Sequence, residues 1–158
     1  MKTNLVYLDE GRKEGGIAHP TQDLAKALRE RIEVKETAIQ EQHSLDPRYW
    51  RRLGSQASAE ADVVHIQFEY GSFGDLNGAF LGSMFPVFAS AVDVPVVTTL
   101  HNFRDRRVNI SAANPSSLLT FLAEHATWFV DWSIVSTTDY FIPLMKVEVN
   151  LLKRHGVP

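Results

Sequence analysis

Residues 62–68 (DVVHIQF) and residues 95–100 (PVVTTL) are the two stretches that decide the fold of this chain. Each is a short apolar run that leads directly into polar residues, and a segment long enough for a helix separates the two. Such runs are typical of strands that are buried in a parallel sheet. Because ligands bind at the carboxyl ends of the strands in these sheets, we expect the functional site at residues 69–74 and 101–103.

Outward from this pair, the sequence alternates between strand-like and helix-like segments. In the first half we predict strands over 4–8, 33–39 and 62–68, a helix from Ile17 to Ile32 with Pro20 in its first turn, and a helix from Pro47 that ends at Gly54. A helix over 78–91 that Pro86 kinks or splits and a strand over 95–100 follow. In the last part we predict a helix capped by Asn114 and opened by Pro115 that reaches Phe129, a strand over 132–136, and a helix whose spacing runs from Tyr140 to Leu151, with Pro143 in its first turn and Gly156 as its stop. This alternation predicts an α/β fold, a Rossmann-like three-layer sandwich around one parallel sheet. A 2-1-3-4-5 strand order would place the binding crevice between the first and third strands.

Composition limits the classes of function. With 158 residues the chain suits one domain over residues 1–158, and its net charge of −3 gives no reason to expect nucleic acid as a partner. A membrane surface is neither indicated nor excluded by this charge. The absence of cysteine excludes disulfides and thiolate metal sites. The chain opens without a signal-peptide pattern and holds no apolar run of about 18 residues, so we expect a cytoplasmic location.

Gly15 and Gly16 directly precede the first predicted helix. Two glycines at this point let the backbone approach a ligand closely, and the N–H groups at the start of a helix favour an anion such as phosphate. They form neither a G-x-G-x-x-G fingerprint nor a P-loop. The alternative interpretation is that they only turn the chain.

The strand ends carry the other candidate residues. His101 stands where the fourth strand opens into its loop, a position from which an imidazole can bond to a hydroxyl or phosphate or move a proton. Glu69 follows the third strand and is a candidate base, hydroxyl acceptor or stabilising charge, and Gly71 belongs to a tight loop after it. His65 lies inside the strand, so we interpret it as a core histidine with hydrogen-bond partners. The spacing of these residues does not indicate a metal site.

The succession HIQFEYGSFG (residues 65–74), an apolar helix and PVVTTLH (residues 95–101) resembles the N-terminal, acceptor-side domain of the GT-B retaining glycosyltransferases of family 4, the mannosyl- and sucrose-synthase-type enzymes. The opening, with GGIA at residues 15–18, and the end, with WSIVSTTDYF at 132–141 and LLKRHGVP at 151–158, are similar to the same family. The resemblance spans nearly all of the chain. Residues 68 and 72, Phe and Ser here, differ from the His and Ile that are frequent in the family pattern.

This resemblance implies a two-domain enzyme that moves a hexosyl group from a nucleotide sugar to a sugar or lipid acceptor, with no metal or other cofactor required. It implies that His101 is the active-site histidine near the transferred sugar. It also implies substrate-binding roles, on the diphosphate side for Gly15 and Gly16 and on the acceptor side for Glu69 and Tyr70. We predict Gly71 and Asn102, in the loops after the third and fourth strands, as further substrate-binding residues.

The sequence holds no second Rossmann-like half, so we expect the donor-binding domain to be a C-terminal continuation or a separate chain. We therefore expect the 158 residues alone to transfer no sugar. One alternative is a non-catalytic binding or regulatory subunit with the same fold. Another is a receiver-type phosphoacceptor module, for which Asp9 and Glu10 are suitably placed; that module, however, requires Asp at Glu69 and Lys at the end of the fifth strand, predicted here at Ser136.

Overall fold

The structure is a computed structural model that describes residues 1–8, 18–41, 44–74, 82–101 and 117–157. The elements in these ranges are β1 (Lys2–Leu8), α1 (Ala18–Arg29), β2 (Glu33–Ile39), α2 (Pro47–Ser58), β3 (Val63–Phe68), α3 (Phe85–Ala89), β4 (Val96–Leu100), α4 (Ser117–Thr137), β5 (Tyr140–Pro143) and α5 (Lys146–Arg154). A short 3₁₀ turn, Tyr70–Ser72, follows β3. The predicted alternation of strands and helices is confirmed.

The five strands form one sheet in the order β2-β1-β3-β4-β5, and every neighbouring pair is parallel. This is a Rossmann-like α/β arrangement, and the predicted strand order is confirmed. The connections through α2, α3 and α4 all move across the sheet in one direction, and α2 packs on α3 and α3 on α4. Because such crossovers are right-handed, these three helices cover one face, and α1, whose connection moves the opposite way, covers the other.

Two aspartates each hold one pair of strands in register at the amino edge of the sheet. The N–H of Asp62 donates to the carbonyl of Lys2 over 2.8 Å, and the N–H of Lys2 donates back to the Asp62 carboxylate over 2.7 Å. Asp139 makes the same pair of bonds with Val96, at 2.9 Å and 2.8 Å. We call these pairs the aspartate clasps. One joins β3 to β1 and the other joins β5 to β4.

An aromatic cluster fills the core on the face covered by α2 and α3. Phe73, just past the end of β3, lies at its centre, with ring centroids 5.2–5.7 Å from those of Trp50, Phe68, Phe85 and Phe88. All five side chains are fully buried. Aromatic pairs at these separations stabilise beyond their buried area, so the cluster anchors the loop after β3 to the core.

The predicted strand over residues 132–136 is wrong, because α4 continues through these residues to Thr137. Their β-branched and aromatic side chains favour a strand by composition. Their burial follows a helix instead: Val130, Ser133 and Ile134 are buried while Trp128 and Trp132 are exposed. None of the helices in the described part of the chain is long and apolar enough to cross a membrane.

The fifth strand is Tyr140–Pro143, within the segment that we predicted as the last helix. Pro143 ends this strand at the edge of the sheet, where a missing N–H is tolerated. The last helix begins only at Lys146. Gly156, with φ of +84°, follows this helix as the predicted stop.

Two helix boundaries also differ from prediction. Gly54 does not end α2, which continues to Ser58. The glycine instead lies where α2 approaches the backbone of α3, at a point that has no room for a side chain. Pro86 lies in the first turn of the short α3 and opens this helix without kinking a longer one. Pro20 does lie in the first turn of α1, as predicted. The predicted helix start at Asn114 and Pro115 lies outside the described residues.

Candidate functional site

His101 and Glu69 lie at the carboxyl edge of the sheet, directly after β4 and β3. The last residues of these strands, Leu100 and Phe68, pair in register. The N–H of His101 donates to the carbonyl of Phe68 over 2.8 Å, so the pairing continues one residue beyond β4. Both His101 and Glu69 are partly exposed. The two strand ends therefore bring an imidazole and a carboxylate to one accessible edge.

A chain of hydrogen bonds runs from His101 back into the sheet. Its Nε2 lies 2.8 Å from Oε1 of Gln67, whose Nε2 lies 3.2 Å from Nε2 of His65. The same His65 nitrogen lies 2.8 Å from Oγ1 of Thr99. Alternate residues of a strand point to the same face, so these four side chains of β3 and β4 meet on one face. We call them the polar ladder.

The inner members of the polar ladder are removed from water. His65, Gln67 and Thr99 are 6%, 3% and 6% exposed. Polar groups at this depth require hydrogen-bond partners, and each of the three finds its partner within the ladder. The interpretation of His65 as a core histidine with satisfied bonds is confirmed, and the bonds lead to the candidate site.

The environment holds both histidines of the ladder toward the neutral form. Burial lowers the pKa of His65 to about 4, and the nearby His101 lowers it as well. Burial also lowers the pKa of His101, while the negative charge of Glu148 raises it. A neutral imidazole has one lone pair with which to accept a hydrogen bond or a proton.

Glu148 is a fully buried carboxylate on the first turn of α5. Its Oε2 accepts the N–H groups of Leu144 and Met145 over 2.7 Å and 2.9 Å, which holds the connection from β5 to α5. Sequence reasoning missed this residue. The sequence did contain a signal. Glu148 precedes Leu151 by three residues and Leu152 by four, and this spacing puts its carboxylate on the apolar face of the helix.

The loop after β3 has a tight part and an open part. Gly74 has φ of +85°, and a Cβ there would lie 2.7 Å from the Met84 side chain, so the position requires glycine. By contrast, a Cβ on Gly71 would meet nothing within 4 Å. Among the described residues, Gly71 is therefore uncrowded on the side where a side chain would project.

Tyr70, predicted as a substrate-binding residue, has its side chain in the core. It is 4% exposed, its ring packs edge-on against Phe68 at 5.2 Å, and its hydroxyl donates to the carboxylate of Asp131 on α4. These contacts join the loop after β3 to α4.

Of the other predicted site residues, His101, Glu69 and Gly71 come together at the carboxyl edge. Gly15, Gly16 and Asn102 lie outside the described residues. Over the described ranges, no group of three or more His, Cys, Asp or Glu side chains is arranged to hold a metal ion.

Neither the comparison with protein-family models nor the comparison with curated proteins gives a match for this chain. The resemblance noted in the sequence therefore depends on the quoted stretches alone, chiefly residues 65–74 and 95–101. The first of these two stretches contains most of the buried strand β3 and the turn after it. The second is the neighbouring strand β4 with the histidine that follows it.

Proposed function

We propose that this chain is the N-terminal, acceptor-side domain of a retaining glycosyltransferase with a GT-B fold, similar to family 4. It would act with a donor-binding domain, in the same polypeptide or in a separate chain, to move a hexosyl group from a nucleotide sugar to a sugar or lipid acceptor. The observation that carries the proposal is the position of His101. It follows a central strand of a parallel sheet, beside Glu69, at the edge where such sheets bind ligands.

The chemistry of sugar transfer suits this arrangement. The bond between the anomeric carbon and the diphosphate breaks, a bond to the acceptor oxygen forms, and the proton of the acceptor hydroxyl passes to the departing diphosphate. The protein must mainly align the two substrates and stabilise charge. A neutral His101 accepts a hydrogen bond from a sugar hydroxyl, and Glu69 offers a carboxylate to a second hydroxyl. Among the described residues, a methyl group at Gly71 would meet no neighbour, so nothing described crowds this position two residues after Glu69.

The receiver-type alternative gains no support from the corrected fifth strand. β5 ends at Pro143, where that class of module requires a lysine, and Glu69 occupies the place of its acceptor aspartate. A non-catalytic binding subunit would share the fold and the site at the carboxyl edge. It would transfer no sugar even when a donor-binding domain is present.

The test is an NMR titration of the ¹⁵N-labelled chain with a panel of nucleotide sugars and free sugars. We expect saturable shifts at Glu69, Gly71 and His101, with dissociation constants of roughly 1 mM, since one domain supplies part of the contacts. We expect no multiple turnovers. His101→Ala should weaken the shifts, whereas Lys35→Ala, on the exposed side of β2, should not.

Two outcomes would contradict the proposal. If no sugar ligand shifts the signals of these residues, the carboxyl edge beside His101 is not a sugar site. If the chain alone binds a donor with micromolar affinity and turns it over, the requirement for a second domain is wrong.

A further inference from the structure

We propose that Gln67 is a positioning residue that fixes which ring nitrogen of His101 and of His65 carries the proton, so that Nδ1 of His101 is the lone-pair atom offered to a ligand. This inference deepens the proposed function and rests on it for the role of His101. It follows from the polar ladder, in which one buried amide contacts both imidazoles.

The chemistry of an amide leaves one assignment for each nitrogen. The oxygen of Gln67 can only accept, so Nε2 of His101 must carry a hydrogen and donate it over 2.8 Å. The amide nitrogen can only donate, so Nε2 of His65 must be unprotonated, which puts the proton of a neutral His65 on Nδ1. Thr99 then donates its hydroxyl hydrogen to the same His65 nitrogen, so the two donors share its single lone pair.

The lengths of the two contacts support this orientation of the amide. The contact from Gln67 to His101 is 2.8 Å, within the range for N–H···O bonds, and the contact to His65 is longer, at 3.2 Å. The longer contact is the one that joins two nitrogens. With the amide reversed, the shorter contact would be the one between nitrogens. Gln67 is 3% exposed, so water does not compete for either group.

The consequence for ligand chemistry is specific. Nε2 of His101 is occupied by Gln67, and among the described residues no group bonds to Nδ1 of His101. The burial that lowers its pKa keeps the ring neutral, although Glu148 opposes this with its negative charge. A neutral ring with an unprotonated Nδ1 accepts a hydrogen bond but cannot give one. The ligand group at His101 is therefore a hydrogen-bond donor such as a sugar hydroxyl, and not a phosphate oxygen.

The test reads the tautomers directly in the ligand-free chain. Long-range ¹H–¹⁵N spectra near pH 7.5 distinguish protonated from unprotonated ring nitrogens, with the six histidines assigned through single His→Gln variants. We expect opposite tautomers, the proton on Nε2 in His101 and on Nδ1 in His65. The reversed pattern, or the same tautomer in both rings, would overturn the proposal. No ligand is involved, so failure here leaves the transferase proposal standing, and failure of the sugar titration leaves this one standing.

A substitution of the amide supplies a second readout that a merely structural role would not move. In Gln67→Glu the carboxylate still accepts from His101 but cannot donate to His65. We expect His65 to move its proton to Nε2, His101 to keep its tautomer, and the pKa of both rings to rise beside the new negative charge.

Gln56→Glu is the matched control, since Gln56 is exposed on α2 and gains the same charge. It should leave both rings unchanged. An unchanged His65 tautomer in folded Gln67→Glu would refute the role of the amide. Backbone amide spectra report whether the variant folds, and if it does not, the tautomers of the unsubstituted chain decide the question.

Discussion

Gly54→Ala tests the packing of α2 on α3, where a single added methyl group has no room. A Cβ at Gly54 would lie 2.3 Å from the carbonyl oxygen of Phe88 and 3.1 Å from the Cβ of Ala91. Ordinary van der Waals contact begins near 3.4 Å, so the oxygen must retreat by about 1 Å. The obstacle is backbone and has no rotamer to change. The substitution must therefore separate the two helices.

Two opposing terms set the expected magnitude. Alanine is favoured over glycine inside a helix by about 1 kcal/mol. Overpacking in a well-packed core costs about 1–3 kcal/mol, and a backbone clash that also loosens the aromatic cluster belongs at the upper end. The difference is a loss of about 2 kcal/mol in the free energy of unfolding. For a domain of this size that corresponds to a melting temperature lower by about 4–8 °C.

The assay is urea unfolding followed by circular dichroism, with thermal melting as a second measurement. Ser55→Ala is the control, because Ser55 is exposed on the same helix and the change should stay within about 0.5 kcal/mol. If Gly54→Ala is as stable as the unsubstituted chain, α2 does not approach α3 as described, and the reasoning from this contact fails.

Three further predictions concern the core, the ladder and the site. Phe73→Ala should cost about 3–5 kcal/mol in urea unfolding, because Phe73 centres the aromatic cluster, whereas Phe73→Leu should cost clearly less; equal losses would contradict the cavity argument. His65 has a folded-state pKa of about 4 against an ordinary value of 6.5. Its contribution to stability is therefore complete above pH 6.5 and is lost as the pH falls toward 4, with about 2 kcal/mol lost at pH 5. Unfolding free energies measured from pH 7.5 to 5 should show this slope, His65→Gln should reduce it, and unchanged slopes would mean that His65 does not titrate this way. In a complete transferase, His101→Ala should lower turnover about 100-fold or more and cost about 1–3 kcal/mol in the free energy of unfolding, because Oε1 of buried Gln67 loses its partner; unaltered turnover would assign His101 a structural role.

The central strands of the sheet could be predicted from sequence because a strand that is buried on both faces is a nearly continuous apolar run. β3 and β4 appear as short apolar runs, and β2 was predicted at its observed bounds, Glu33–Ile39. β5 could not be predicted in the same way. It is a four-residue edge strand with alternately exposed side chains, and the neighbouring α4 contains a more strand-like composition than β5 itself. Tertiary packing decided between them.

The candidate site was predictable only where a residue's position along a strand determines its role. His101 and Glu69 follow strand ends, and strand ends meet at one edge. The bonds of Gln67 depend on the register between β3 and β4, which brings Gln67 opposite Thr99 and within reach of His101. Glu148 was missed for a related reason. Once residues 140–151 were assigned to a single helix, its place beside the end of β5 could not be recognised.

The aspartate clasps have a consequence for how this domain tolerates change. Both clasps lie at the amino edge, opposite His101, so they hold β3 to β1 and β5 to β4 without using a residue of the candidate site. A slip of one residue would turn His65 and Gln67 to the other face and dismantle the ladder. Because β3 is held to β1 and β4 to β5 at this far end, a substitution at the carboxyl edge, such as one at Gly71, leaves both clasps in place. A scaffold built this way lets selection or an engineer alter the side chains around His101 without disturbing the bonds that join each strand of the ladder to its outer neighbour.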